Sequence, residues 1–123
     1  MHFSVIRKEI IEMLVHEFIA VKRTEVVGKV EYNLVRTHPC VRVPDNIILN
    51  NRDFLSGFKV HWECVGRVYE GLAYHGITLI LHEDLKPFMD VLEKYKEDKS
   101  IKALIVLSHE ALEQGKDIVH FGI

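Results

Sequence analysis

The chain predicts an α/β fold, a single domain over residues 1–123 with a mixed sheet, and three observations carry that reading. Hydrophobic residues make up 48% of the chain and charged residues 28%, which suits a packed core and opposes disorder. Stretches of period-two alternation stand beside stretches of three- and four-residue steps, so strands and helices are both expected. In the second half, the apolar runs Ile77–Leu81 and Leu104–Leu107 each lead into a His-Glu pair, His82-Glu83 and His109-Glu110. That separation is about one strand–helix–strand unit.

The first expected element is a helix over residues 3–22. Phe3, Ile6, Ile10, Leu14, Phe18 and Val21 recur at helical steps, and Ile11, Val15 and Ile19 widen the stripe. His16-Glu17 falls on its solvated side. From Glu25 the period changes to two, and Val26, Gly28, Val30, Tyr32 and Leu34 mark a half-buried strand. Thr37-His38-Pro39 then turns the chain, and Val41-Arg42-Val43 returns antiparallel until Pro44. Ile47-Ile48-Leu49 is an apolar patch of either type.

Residues 52–75 carry two competing patterns. Phe58, Val60, Trp62 and Cys64 alternate as in a strand, whereas Leu55, Phe58, Trp62, Val65, Tyr69 and Leu72 step as in a helix. The longer window favours a long helix, capped by Asn51 and stopped by a left-handed Gly76. Strand 77–82 follows, then helix 84–97 with Pro87 in its first turn. Strand 102–107, a short helix 109–114 stopped by Gly115, and a last strand Ile118–Phe121 complete the chain. The architecture expected is an N-terminal helix, an antiparallel hairpin, a long helix and a βαβαβ segment, the hairpin forming the antiparallel edge of the mixed sheet.

Bulk properties narrow the function classes. A net charge of −2 opposes the uniformly basic surface of a strong nucleic-acid binder. No apolar stretch reaches the ~20 residues that span a bilayer, and residues 1–3 lead into an amphipathic pattern without a signal peptide. Two cysteines beside an adequate core read as reduced thiols in a cytoplasmic protein, which opposes a Cys40–Cys64 disulfide. P-loop, dinucleotide-binding, G-x-S-x-G, H-E-x-x-H and C-x-x-C motifs are missing. Eight histidines make the chain histidine-rich.

Three constellations carry candidate chemistry. If strands 77–82 and 102–107 lie side by side in parallel, His82, Glu83, His109 and Glu110 meet at their carboxyl ends, where a divalent ion such as zinc would activate water. The plainer account is that Glu83 and Glu110 sit in first turns of helices, favoured there by the helix dipole. His38, Cys40, His61 and Cys64 form a second set of zinc-type ligands, although H-x-C is too tight for a usual zinc knuckle. Cys40 alone, between His38 and Arg42, is a weak candidate for an activated thiol. Arg36, Arg42, Arg52 and Lys59 make the one region that leans basic, suited to a phosphate backbone or simply to a solvated face.

The leading expectation is a small cytoplasmic module, non-enzymatic, that binds an unidentified ligand or regulates a partner and self-associates as a homodimer. It needs no cofactor. Phe3, Phe18, Trp62, Phe121 and Ile123 present more apolar surface than one thin sheet easily covers. The first alternative is a metal-dependent hydrolase, such as a phosphoesterase, built on the two His-Glu pairs. The second is a nucleic-acid-binding adaptor acting through the Arg36–Lys59 region.

Overall fold

The computed structural model describes residues 14–26, 30–62 and 67–123. Its strands are β1 (Val15–Val21), β2 (Cys40–Pro44), β3 (Lys59–Trp62), β4 (Arg67–Glu70), β5 (Ile77–Ile80) and β6 (Asp117–Phe121). They form one sheet in the order β2-β1-β6-β5-β3-β4. The helices are α1 (Leu34–Thr37), α2 (Asp45–Asn50), α3 (Leu85–Glu93) and α4 (Lys99–Gln114). Helices on a sheet bear out the α/β class. The expected parallel segment is not present, because among the described residues every pair of neighbouring strands is antiparallel.

Strand alternation divides the apolar residues between two layers. Phe18, Val43, Val60, Ile80 and Ile118 face the main core under α2, α3 and α4. Ile19, Val21, Val119 and Phe121 face the other way and are covered by Val26, Val30 and Val35. Strands β1 and β6 are therefore buried on both faces, at the centre of the sheet.

Double burial explains the first misreading. The expected helix over 3–22 is replaced at Val15–Val21 by a strand; residues 1–13 lie outside the described set. A strand covered on both faces is apolar at almost every position, so Val15, Phe18, Ile19 and Val21 also satisfy helical spacing. The expected strand from Glu25 is absent on both sides of residues 27–29, which lie outside the described set: Arg23–Val26 is a 3-10 turn, and Leu34 opens α1. Its return partner survives at Cys40–Pro44 but pairs with β1, Ile19 opposite Cys40 and Val15 opposite Pro44.

The reverse error occurs at 102–107, which is the middle of α4 rather than a strand. Ile101, Leu104, Leu107, Ser108 and Ala111 form its buried stripe, while Val106 is exposed. Asp98 caps the helix by accepting from the Ser100 and Ile101 amides at 2.9 and 3.0 Å. The expected stop at Gly115 holds, with φ of 67°.

No long helix spans 52–75. Asn51 precedes a 3-10 turn at Arg52–Leu55, and the chain then forms the β3–β4 hairpin, with Val60 opposite Tyr69 and His61 opposite Val68. The alternation of Phe58, Val60 and Trp62 was the true signal. Gly76 is not left-handed; that role falls to Gly71, at φ 78°. A Cβ at Gly71 would overlap the Leu55 carbonyl, and the Gly71 amide bonds Phe58 O at 2.8 Å. A Cβ at Gly115 would meet nothing within 4 Å.

This contrast yields an expected outcome. Gly115→Ala should cost about 1 kcal/mol, the left-handed penalty alone, whereas Gly71→Ala adds a backbone overlap and should cost roughly 2 kcal/mol or more. Urea unfolding of the two variants checks it. Equal losses would show that the Leu55 contact gives way freely.

Candidate functional site

The most developed polar arrangement lies inside the main core, across the three central strands. His16 of β1 points to the same face as Phe18, which stands opposite His120 of β6; His120 in turn stands opposite Thr78 of β5. His16, His120 and Thr78 are all at 0% exposure. Asp45, the first residue of α2, reaches them because its amide is tied to Leu14 O at 3.0 Å. Tyr74 arrives from the β4–β5 loop.

These five residues form one chain of hydrogen bonds. Tyr74 Oη donates to Asp45 Oδ2 at 2.8 Å, and Asp45 Oδ1 lies 2.9 Å from His16 Nε2. His16 Nδ1 lies 2.8 Å from His120 Nε2, and His120 Nδ1 lies 3.1 Å from Thr78 Oγ1. The Ala73 amide donates to Thr78 Oγ1 at 2.8 Å.

Donor arithmetic fixes the direction. A carboxylate only accepts, so His16 carries a proton on Nε2, and because burial disfavours a second proton its Nδ1 is bare at neutral pH. His120 must then donate from Nε2, leaving its own Nδ1 to accept from the Thr78 hydroxyl. Both rings are neutral, and each ring nitrogen has a partner. Burial holds the His120 ring well below the usual imidazole range, and the neighbouring His16 adds to this. His16 is lowered by burial too, against an opposing pull from its hydrogen bond to Asp45. The same carboxylate raises the Tyr74 phenol.

The chain's one outlet is its Asp45–Tyr74 end, where Asp45 is 8% exposed and Tyr74 half-buried. Thr78 lies at the closed end, so the geometry provides a proton path and not an exposed nucleophile.

The residues singled out from sequence lie elsewhere. His82 is in a 3-10 turn, its Nε2 donating to Leu112 O at 2.8 Å and its amide to Asp117 Oδ1 at 2.7 Å. Glu83 is paired with Arg23, whose guanidinium also grips buried Asp117 at 2.8 and 3.1 Å. The Arg23 hydrogen bonds lower the Glu83 carboxyl to about 2. His109 and Glu110 are exposed on α4, and His109 borders a shallow groove of about 380 Å³ with Asp90 and Glu93. The two His-Glu pairs therefore do not meet at parallel strand ends, because one of those strands is a helix.

The zinc-type set is also dispersed. His38 donates to Glu25 and lies within hydrogen-bond reach of Leu34 O, at 2.8 and 2.9 Å. Cys40 of edge strand β2 and His61 of β3 are four strand spacings apart, about 19 Å, too far to share an ion. Cys64 and the Cys40–Cys64 pairing lie outside the described residues. Among the described residues, no group of three His, Cys, Asp or Glu side chains is placed to hold a metal. Burial raises the Cys40 thiol, as does Glu17 nearby, the opposite of an activated cysteine.

The basic residues are scattered too. Arg36 lies on α1, Arg52 in a 3-10 turn, and Arg42 and Lys59 on strands four spacings apart. Arg42 approaches Glu17 at 3.4 Å, and Lys59 stands opposite Glu70.

Sequence reading missed all five members of the buried chain. One signal was present: His120 sits in Ile118-Val119-His120-Phe121, a polar ring inside a run that alternation buries on both faces. His16 was hidden by the helical reading of its strand. Family models, curated proteins and solved structures give no significant match to this chain.

The neutral histidines dictate an acid response. Their folded pKa values lie below the unfolded value, so the unfolded chain binds more protons as pH falls below about 6.5. Stability is thus complete above that pH and lost beneath it, by up to ~1.4 kcal/mol per pH unit for each ring. Urea unfolding at pH 7.5, 6.5 and 5.5 tests this. A flat profile would mean that the rings are not neutral in the fold.

Proposed function

We propose that this chain is a small cytoplasmic, self-associating binding module without a reaction of its own, and that its edge strand β4 makes the contact with a second copy. One observation carries the proposal: among the described residues β4 ends the sheet, with Val68 52% exposed on it, beside an open groove of about 650 Å³. Phe58, Lys59, Tyr69, Glu70 and Pro87 line that groove.

The two sheet edges differ in their suitability. Strand β2 follows Pro39, ends in Pro44 and exposes Arg42, three features that blunt strand addition. Strand β4 contains no proline. Antiparallel strands related by a two-fold axis place one residue opposite its own copy. With Val68 on the axis, two exposed valines become a cross-strand apolar pair. A four-residue strand supplies few backbone bonds, so side chains along the groove must complete the interface.

The apolar excess read from sequence supports this less than expected. Phe18 and Phe121 are buried within the chain itself, and Phe3 lies outside the described residues. The support rests on Val68 and its groove. No helix among the described residues is long and apolar enough to cross a membrane.

Light scattering should give twice the chain mass at about 100 μM, where any complex tighter than about 10 μM is largely formed. Val68→Lys should return it to one chain with the unfolding midpoint little changed. A wild-type mass of one chain at that concentration rejects the proposal. So does a Val68→Lys variant that remains dimeric.

A further inference from the structure

We propose that the Tyr74–Asp45–His16–His120–Thr78 chain is a proton-operated latch on the β4–β5 loop, closed at neutral pH and opened by uptake of one proton at its Asp45 end.

The loop is held at three points by groups that belong to the chain or touch it. Tyr74 is clasped to Asp45, the Ala73 amide to Thr78 Oγ1, and the Tyr74 carbonyl to the Ile123 amide at 2.9 Å. The charged groups acting on the two rings are Asp45 of α2 and His75 of the loop on His16, and His16 on His120. The rest of the contact is apolar, with the Phe18 ring 4.9 Å from His120 and Phe88 of α3 behind it.

Following the proton shows why the effect reaches the loop. In the closed chain every link runs one way: Thr78 donates to His120, His120 to His16, and His16 to Asp45. No ring nitrogen is free. A proton added to His16 settles on Nδ1, making an imidazolium beside the Asp45 carboxylate. That nitrogen now faces the Nε2 proton of His120, and two donors cannot share one bond. The arrangement that removes the clash has the His120 proton on Nδ1, so that Nε2 accepts from His16; the Nε2 proton is lost to solvent and the Nδ1 proton taken from it while the loop is lifted. The Thr78 hydroxyl then accepts from His120 where it had donated. The oxygen has a lone pair each for His120 and the Ala73 amide, but its own proton loses its acceptor, and a buried unpaired hydroxyl favours lifting the loop off Thr78 to admit water. One proton entering at Asp45 thus leaves the ring tautomer reversed and the Ala73 anchor weakened.

The test combines ring and amide measurements on the wild-type chain. At pH 8, long-range proton–nitrogen spectra should show both rings as Nε2–H tautomers. As the pH is lowered below 6.5 and the pair takes up its first proton, His120 should change to Nδ1–H. Protection of the Ala73 amide should fall by up to about tenfold per pH unit as the midpoint is approached from above and level off beneath it, as one-proton linkage requires. The Val119 amide, at the centre of β6, should keep its protection over the same range. Thr78→Val removes the relaying hydroxyl, so its Ala73 protection should be low and independent of pH. The latch is overturned if Ala73 protection is flat in the wild-type chain, or if Ala73 and Val119 lose protection together. It is also overturned if Thr78→Val keeps the wild-type pH dependence.

Discussion

The hydrogen bond between His16 and His120 is the constraint around which the centre of this molecule is arranged. Two imidazoles at 0% exposure are tolerated only if their four nitrogens are all paired, because an unpaired buried polar atom costs about 1–3 kcal/mol. That requirement reaches into four elements. Strands β1 and β6 must pair in the register that sets Phe18 against His120, β5 must offer Thr78, and α2 must begin at Asp45. Pro44 closes β2 immediately before Asp45, so the residue that ends the strand also delivers the carboxylate.

The opposite end of the same strands solves a similar problem with full charges. Asp117 begins β6 at 0% exposure, and Arg23, just beyond β1, grips it with two nitrogens while its head stays half in water. The His82 amide supplies a further donor to Asp117. A charge partner that keeps solvent contact avoids most of the desolvation that burying both ions would impose. The far end has no such access, and its rings are neutral. Acid therefore acts on the histidine end first: Glu83 is held ionised to about pH 2, well below the range where the imidazoles respond.

What could be read from the residues follows from how many sides of an element are buried. The strand expected at 77–82 and found at Ile77–Ile80, the helix expected at 84–97 and found at Leu85–Glu93, the stop at Gly115 and the last strand were legible, since each joins a periodic run to clear punctuation. Strand β1 and helix α4 were exchanged for each other's type. Burial on both faces fills β1 with apolar residues at helical spacing. The run Leu104–Leu107 of α4 looks like a buried strand because Ile105 and Val106 lie off the buried stripe yet are apolar. The candidate site failed with them. His82 and His109 were brought together on paper by a strand that is a helix, whereas His16 and His120 meet through a strand that was read as one.

The edges of the sheet and its centre make separate demands on the loop between β4 and β5. Gly71, at its start, turns with positive φ against the Leu55 backbone, and its carbonyl accepts the Trp62 indole N–H at 3.0 Å. That bond ties the loop to the β3–β4 hairpin, where the indole stacks on Tyr69 with ring centres 4.2 Å apart. Three residues later, Tyr74 ties the same loop to the buried chain. A segment fastened at one end to an edge hairpin and at the other to a titratable core can transmit a change only if it is stiff between the two. Leu72 and Ala73 supply that stiffness, both buried, with the Leu72 amide on Phe54 O at 2.8 Å and the Ala73 amide on Thr78. Loss of the Ala73 bond would free the inner half of the loop while Gly71 and the indole held the outer half. Opening of the latch would therefore stop short of β4, and self-association at that edge and proton uptake in the core would be independent properties of one sheet.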